Sequence, residues 1–172
     1  FRARGASYDA PENTMAAIQL AWDRGANAEI DVYLTKDNRI VVIHDAWTKR
    51  TARVNLKVKN TTADRLRRLD VGAFKGRAFA GAQIPFLEEV LDALPPGRRL
   101  YIEIKCGREI LPVLQQVLAS SGKMSQIVII GFDREVVAEC RKLLDLPAYW
   151  LVESDKHLAV GPRIPHNPKL IQ

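Results

Sequence analysis

Leu100-Tyr101-Ile102-Glu103-Ile104-Lys105 decides the fold of this chain. Apolar residues at every second position mark a strand, because successive side chains point to opposite faces. Leu100, Ile102 and Ile104 therefore share one face, and Tyr101, Glu103 and Lys105 the other. Ala28-Glu29-Ile30-Asp31-Val32-Tyr33-Leu34 repeats the pattern, with Ala28, Ile30 and Val32 opposed by Glu29, Asp31 and Tyr33. An open parallel sheet covered by helices on both sides should be apolar on both faces. In a barrel the inner face turns polar towards the carboxyl ends of the strands, where active sites sit. Two strands with one apolar and one charged face each therefore predict an α/β barrel of the TIM type with a site at its mouth.

Working outward, residues 1–4 read as a first strand. A helix follows, capped by Asn13 or Thr14, with Met15, Ile18, Ala21 and Trp22 at helical spacing and Gly25 at its end. The strand at 28–34 is succeeded by one at 40–43, too soon for a helical crossover, so the two form a hairpin. With Asp37-Asn38 as a two-residue loop, Leu34 faces Val41, Val32 faces Ile43, and Asp31 faces His44. Residues 45–98 form a long insertion with helices near 63–69 and 86–94. Strands at 100–105, 126–131 and 148–152 then alternate with helices at 109–120 and 134–144, the order of βα units. The chain divides into a barrel domain at 1–152 and a tail at 153–172, with Pro162, Pro165 and Pro168, that is irregular or the remnant of a missing barrel part. Five barrel strands plus the hairpin return strand make an incomplete barrel, since a closed one usually takes about 250 residues. The expectation is a chain that belongs to something longer or omits a stretch ahead of its tail, and the strand pattern beginning at Phe1-Arg2 points to an upstream leader cut away.

The 172 residues are 47% hydrophobic, enough for one domain with a core. A net charge of +6 favours anionic ligands. The basic residues show no clustered stripe beyond Arg65, Arg67 and Arg68 and no aromatic platforms, so nucleic acid is not expected as a partner. Cys106 and Cys140 are too few for a disulfide scaffold and lack metal-site spacing. No stretch is long and apolar enough for a membrane span. Composition assigns no compartment.

Inside the predicted mouth, Glu29, Asp31 and Glu103 converge with Lys105. Unpaired acids removed from water are costly, so Lys105 pairs with one of them. The other two are accounted for by a divalent cation or by a structural salt-bridge network. All-oxygen ligation suits a hard ion, Mg²⁺ or Ca²⁺. His44, opposite Asp31, is a candidate general acid or base. Arg4, beside the permissive backbone of Gly5, is placed to grip a phosphate with two hydrogen bonds. His157 and His166 lie in the tail and take no role.

Arg4-Gly5-Ala6-Ser7, Pro11-Glu12-Asn13-Thr14, Glu29-x-Asp31-Val32, Thr35-x-Asp37, His44-Asp45, Arg50-Thr51, Ile84-Pro85-x-Leu87-Glu88-Glu89 and Glu103-Ile104-Lys105 together resemble the glycerophosphodiester phosphodiesterases, from position 1 to about 152. The resemblance implies hydrolysis of a small glycerophosphodiester to glycerol 3-phosphate and an alcohol. It further implies a divalent metal held by Glu29, Asp31 and Glu103, phosphate contacts from Arg4 and Lys105, and His44 as one of two acid/base histidines. The other histidine of the family aligns with Ala3, which cannot titrate, and Gly131 stands where the family pattern has serine. Two readings follow: an enzyme impaired at Ala3, or a pseudoenzyme that binds metal and phosphodiester without turnover.

Overall fold

In the computed structural model, which describes residues 3–152, helix α1 (Met15–Asp23) opens the regular structure. The Thr14 hydroxyl accepts from the Ala17 N–H and so satisfies one of the orphan donors of the first turn. Ala17, Ile18, Ala21 and Trp22 form the buried face. Asn13, the other candidate cap, adopts a left-handed φ of 56° and turns its side chain towards the sheet.

Five strands, β1 (Ala28–Leu34), β2 (Ile40–Val42), β3 (Leu100–Ile104), β4 (Ile127–Gly131) and β5 (Ala148–Trp150), form one sheet in the order β2-β1-β3-β4-β5. β2 runs antiparallel to β1 and the other pairs are parallel. Helices α2 (Lys49–Ala52), α3 (Ala63–Arg67) and α4 (Leu87–Ala93) lie between β2 and β3; α5 (Leu111–Ser121) and α6 (Arg134–Leu144) follow β3 and β4. This is the βα succession of a barrel, and among the described residues it is not closed. The tail at 153–172, with His157 and His166, lies outside the described residues.

Two expectations need correction. Residues 1 and 2 are not described, and Ala3 and Arg4 sit in a turn, not a strand. Positive φ at Arg4 (52°) and Gly5 (73°) is incompatible with extended backbone, so the five strands of the sheet include the hairpin return strand. Gly5 must stay glycine here: a Cβ would lie 2.5 Å from the carbonyl carbon of Ala17 in α1. In that close passage the Gly5 N–H donates to the Glu29 carbonyl, which sets Arg4 against the start of β1.

The second correction is the hairpin register. Val32 pairs with Val42, Tyr33 with Val41 and Leu34 with Ile40, one residue away from the expected pairing. The reason is the turn: Thr35 and Arg39 close a three-residue loop, the Thr35 N–H donating to the Arg39 carbonyl and the Arg39 N–H to the Thr35 hydroxyl, with Asn38 left-handed at φ 57°. A one-residue slip exchanges faces, so Asp31 opposes Ile43 and His44 falls beyond the ladder.

The alternation of the strands sorts two cores. Ala28, Ile30 and Val32 of β1 and Leu100, Ile102 and Ile104 of β3 pack under α1, α4, α5 and α6 in the main core. Full burial of each large aliphatic side chain contributes about 1.5–3 kcal/mol. Val41 and Ile43 join Val58, Leu66, Val71 and Ile84 in a smaller core beneath the insertion. That second core anchors the insertion beside Glu29, Asp31 and Glu103.

Candidate active site

In-register pairing of β1 with β3 places Asp31 beside Glu103 and Glu29 beside Tyr101. The three carboxylates share one face, are buried, and bring one oxygen each within 4.8 Å of the others. Charge compensation is sparse. Lys105 Nζ donates to Glu103 Oε1 at 2.8 Å and stands 3.7 Å from Asp31 Oδ1. Arg4 Nε lies 3.5 Å from Asp31 Oδ2 and its guanidinium is shared with Glu12 at 3.6 Å, while the Arg4 backbone N–H donates to Glu29 Oε2 at 2.8 Å. Arg4, Glu29, Asp31, Glu103 and Lys105 are thus brought together.

Electrostatics within the cluster are dominated by desolvation. Burial, reinforced by the charge of Asp31, pushes the Glu29 carboxyl up to about 8. Burial raises Asp31 as well, against the Asn13 hydrogen bond that favours its anion. Asp31 Oδ1 is buried without a hydrogen-bond donor. Three acids, an orphaned carboxylate oxygen and all-oxygen donors fit a hard divalent cation, whose ligand shell of about 2.0–2.6 Å draws carboxylate oxygens to such separations.

His44 stands on the insertion side of this cluster. Its Nδ1 is 2.6 Å from Asp45 Oδ1 and its Nε2 is 3.5 Å from Lys105 Nζ. An ionised carboxylate only accepts, so Nδ1 carries the hydrogen and Nε2 presents its lone pair to Lys105. Asp45 in turn accepts from Arg50 Nε at 2.6 Å, and Arg50 grips Glu12 with two hydrogen bonds of 2.9 and 2.6 Å. Burial opposes ionisation of both acids, yet the hydrogen bonds and charge of Arg50 hold Asp45 and Glu12 below the usual carboxylate range.

Sequence reading missed Asn13, Glu12, Asp45 and Arg50 as site residues, although all four stand in quoted motifs. Asn13 Nδ2 donates to Asp31 Oδ2 at 2.8 Å while its Oδ1 accepts from the Asp31 N–H at 3.2 Å, a two-point clamp that its left-handed backbone aims inward. Ala3, at the position of the family's first histidine, is in the turn that carries Arg4. At Gly131 a Cβ would meet Val137 Cγ2 at 3.2 Å and the Ile104 carbonyl oxygen at 3.4 Å, so the serine of the family pattern has little room.

Comparison with known proteins bears on the family and the fold. The Glycerophosphoryl diester phosphodiesterase family model matches residues 4–160. The glycerophosphodiester phosphodiesterase of Caldanaerobacter subterraneus is 36% identical over 146 residues, covering 81% of this chain and 60% of its own. That of Bacillus subtilis is 31% identical over 170 residues, covering 88% of this chain and 58% of its own. An Oleispira antarctica phosphodiesterase solved in complex with the product sn-glycerol-3-phosphate superposes with a TM-score of 0.78 at 29% identity, over 83% of this chain and 61% of that one. A glycerophosphodiester phosphodiesterase from Agrobacterium tumefaciens gives 0.74 at 29%, with the same coverage. This chain therefore spans about 60% of the length of these relatives. By its matched residues and its fold, the chain belongs to the glycerophosphoryl diester phosphodiesterase family.

Proposed function

We propose that this chain carries the metal- and phosphate-binding residues of a glycerophosphodiester phosphodiesterase, which releases glycerol 3-phosphate and an alcohol, and that Ala3 deprives it of one of two proton-transfer groups. The observation that supports this best is the buried triad of Glu29, Asp31 and Glu103 with too few cations to neutralise it. These three carboxylates would hold a divalent cation, Mg²⁺ or Ca²⁺, which would supply Lewis-acid chemistry there, lowering the pKa of a nearby hydroxyl and drawing charge from the phosphoryl oxygens. Asn13 fixes the rotamer of Asp31 and so presets the ligand geometry.

Lys105 and Arg4 are the phosphate contacts. Both are cations that already face the triad, and both have donors to spare once a phosphodiester enters. His44, held by Asp45 through Nδ1, offers Nε2 to the cavity as a proton acceptor and, once protonated, as a donor to the departing alkoxide. The family chemistry divides these two tasks between two histidines. With alanine at position 3 one of the transfers goes to water, which costs about 10²–10⁴ in rate.

Release of glycerol 3-phosphate from glycerophosphocholine, measured with Mg²⁺ or Ca²⁺ for the chain and for Ala3→His, tests this reading. The expected result is slow turnover that Ala3→His raises by about 10²–10⁴-fold. Metal binding without turnover in either protein would overturn it.

A further inference from the structure

The net charge of the protein is not spread over it. Residues 45–84 contain ten Lys and Arg against three Asp, a net +7, so the other 132 residues together carry −1. The segment is one structural unit, tied to the sheet through its own small core. Two of its arginines are spent inside the protein, Arg50 on Glu12 and Asp45 and Arg67 on Glu89. Lys49, Arg53, Lys59, Arg65, Arg68 and Arg77 are exposed and, among the described residues, form no ion pair.

Of the seven large apolar side chains exposed among the described residues, two, Trp47 and Val54, stand in this segment. Trp47, 46% exposed, stands at the base of a loop that Trp47 and Lys57 close by bridging across it, with the Lys57 ammonium 5.3 Å from the indole centroid. Val54 is exposed in the same loop, next to Arg53. Phe132, at the carboxyl end of β4, is exposed with its ring 5.8 Å from Lys105 Nζ at the site. Tyr8, 87% exposed, is in the turn that Lys75 of the insertion holds through the Ser7 carbonyl. His44 and Asp45 stand three and two residues ahead of Trp47, so the loop starts next to the site.

We infer that this mouth face docks on an anionic phospholipid surface, with the insertion's free cations against the headgroups and Trp47 and Val54 at the boundary with the acyl chains. Charge complementarity argues for the anionic surface: six unpaired cations lie in one segment of 40 residues that is tied to the site through Arg50 and Asp45. The indole beside ammonium and guanidinium groups argues for lipid over a polyanion in solution, since an amphipathic ring gains from an interface that is apolar on one side and wet on the other. Docking there would present the site to phosphodiesters borne on the membrane. Phe132, beside Lys105, and Tyr8, in the turn that Lys75 holds, add exposed apolar surface.

The test is co-sedimentation of the full chain with phosphatidylcholine vesicles and with vesicles containing phosphatidylglycerol, in EDTA so that no cation bridges protein to lipid and no turnover is needed. Each cation near such a surface is worth about fivefold in affinity, so Lys49→Gln with Arg53→Gln is expected to weaken binding about 25-fold. Trp47→Phe identifies the indole whose emission shifts to the blue on binding, and Trp47→Ala weakens binding that remains at raised salt. Equal binding to neutral and anionic vesicles would overturn the inference, as would binding to single-stranded RNA in preference to anionic vesicles. Because binding is read without catalysis, loss of the hydrolytic reading leaves this result standing, and the reverse.

Discussion

Replacing Glu29 by Gln separates the electrostatics of the triad from its packing. The wild-type carboxyl is pushed up from 4.5 to about 8 in the folded protein, chiefly by burial. Between those values the unfolded chain has released this proton and the folded one retains it, so folding stability falls as pH rises, by about 1.4 kcal/mol per pH unit. Below the unfolded value both states are protonated and the group contributes nothing; above about 8 the loss levels off. From pH 5 to 8 the wild type therefore loses about 4 kcal/mol relative to Glu29→Gln, which cannot ionise. Gln keeps an oxygen to accept from the Arg4 N–H, so the packing is preserved. Urea denaturation in EDTA at several pH values measures this, and Asp31, raised in the same direction, is common to both proteins. Millimolar Mg²⁺ or Ca²⁺ should reverse the loss at pH 8 in the wild type and do much less for the variant. Parallel pH dependence of the two proteins in EDTA, or equal stabilisation of both by the cation, would refute the reasoning.

Other outcomes follow from named contacts. Asp31→Asn, at the centre of the triad, should weaken divalent-cation affinity by more than the about 10–100-fold typical of outer-shell changes, measured by calorimetric titration. Gly5→Ala should destabilise the fold by about 3 kcal/mol in urea unfolding, since it adds left-handed strain to a methyl group driven into α1. Arg50→Gln should lower turnover roughly tenfold by freeing Asp45 and with it the His44 ring, and Arg50→Lys should not restore it because the grip on Glu12 is bidentate.

Much of the fold was legible because strand alternation and helix periodicity are local. The strand 28–34 and the helix 134–144 stand as read, and the opposed faces of β1 and β3 correctly put Glu29, Asp31 and Glu103 on one side. The hairpin register was not legible, because it depends on whether Thr35 closes the loop with its hydroxyl and on the left-handed Asn38. The first strand failed for a similar reason: nothing in Ala3-Arg4 itself announces positive φ, which the passage of Gly5 over α1 imposes.

By itself the sequence determined which side chains could meet. The periods of 2 and 3.6 are properties of the backbone, and they set which side chains share a face before any long-range contact forms. The tertiary structure alone decided how the meeting residues are wired. Asn13 clamps Asp31 from 18 residues away, and Arg50 joins Glu12, 38 residues upstream, to Asp45 and thence to His44. Such separations carry no period to read. The same holds for the charge of the insertion: its count is in the sequence, but only the smaller core beneath it ties that charged segment to the sheet.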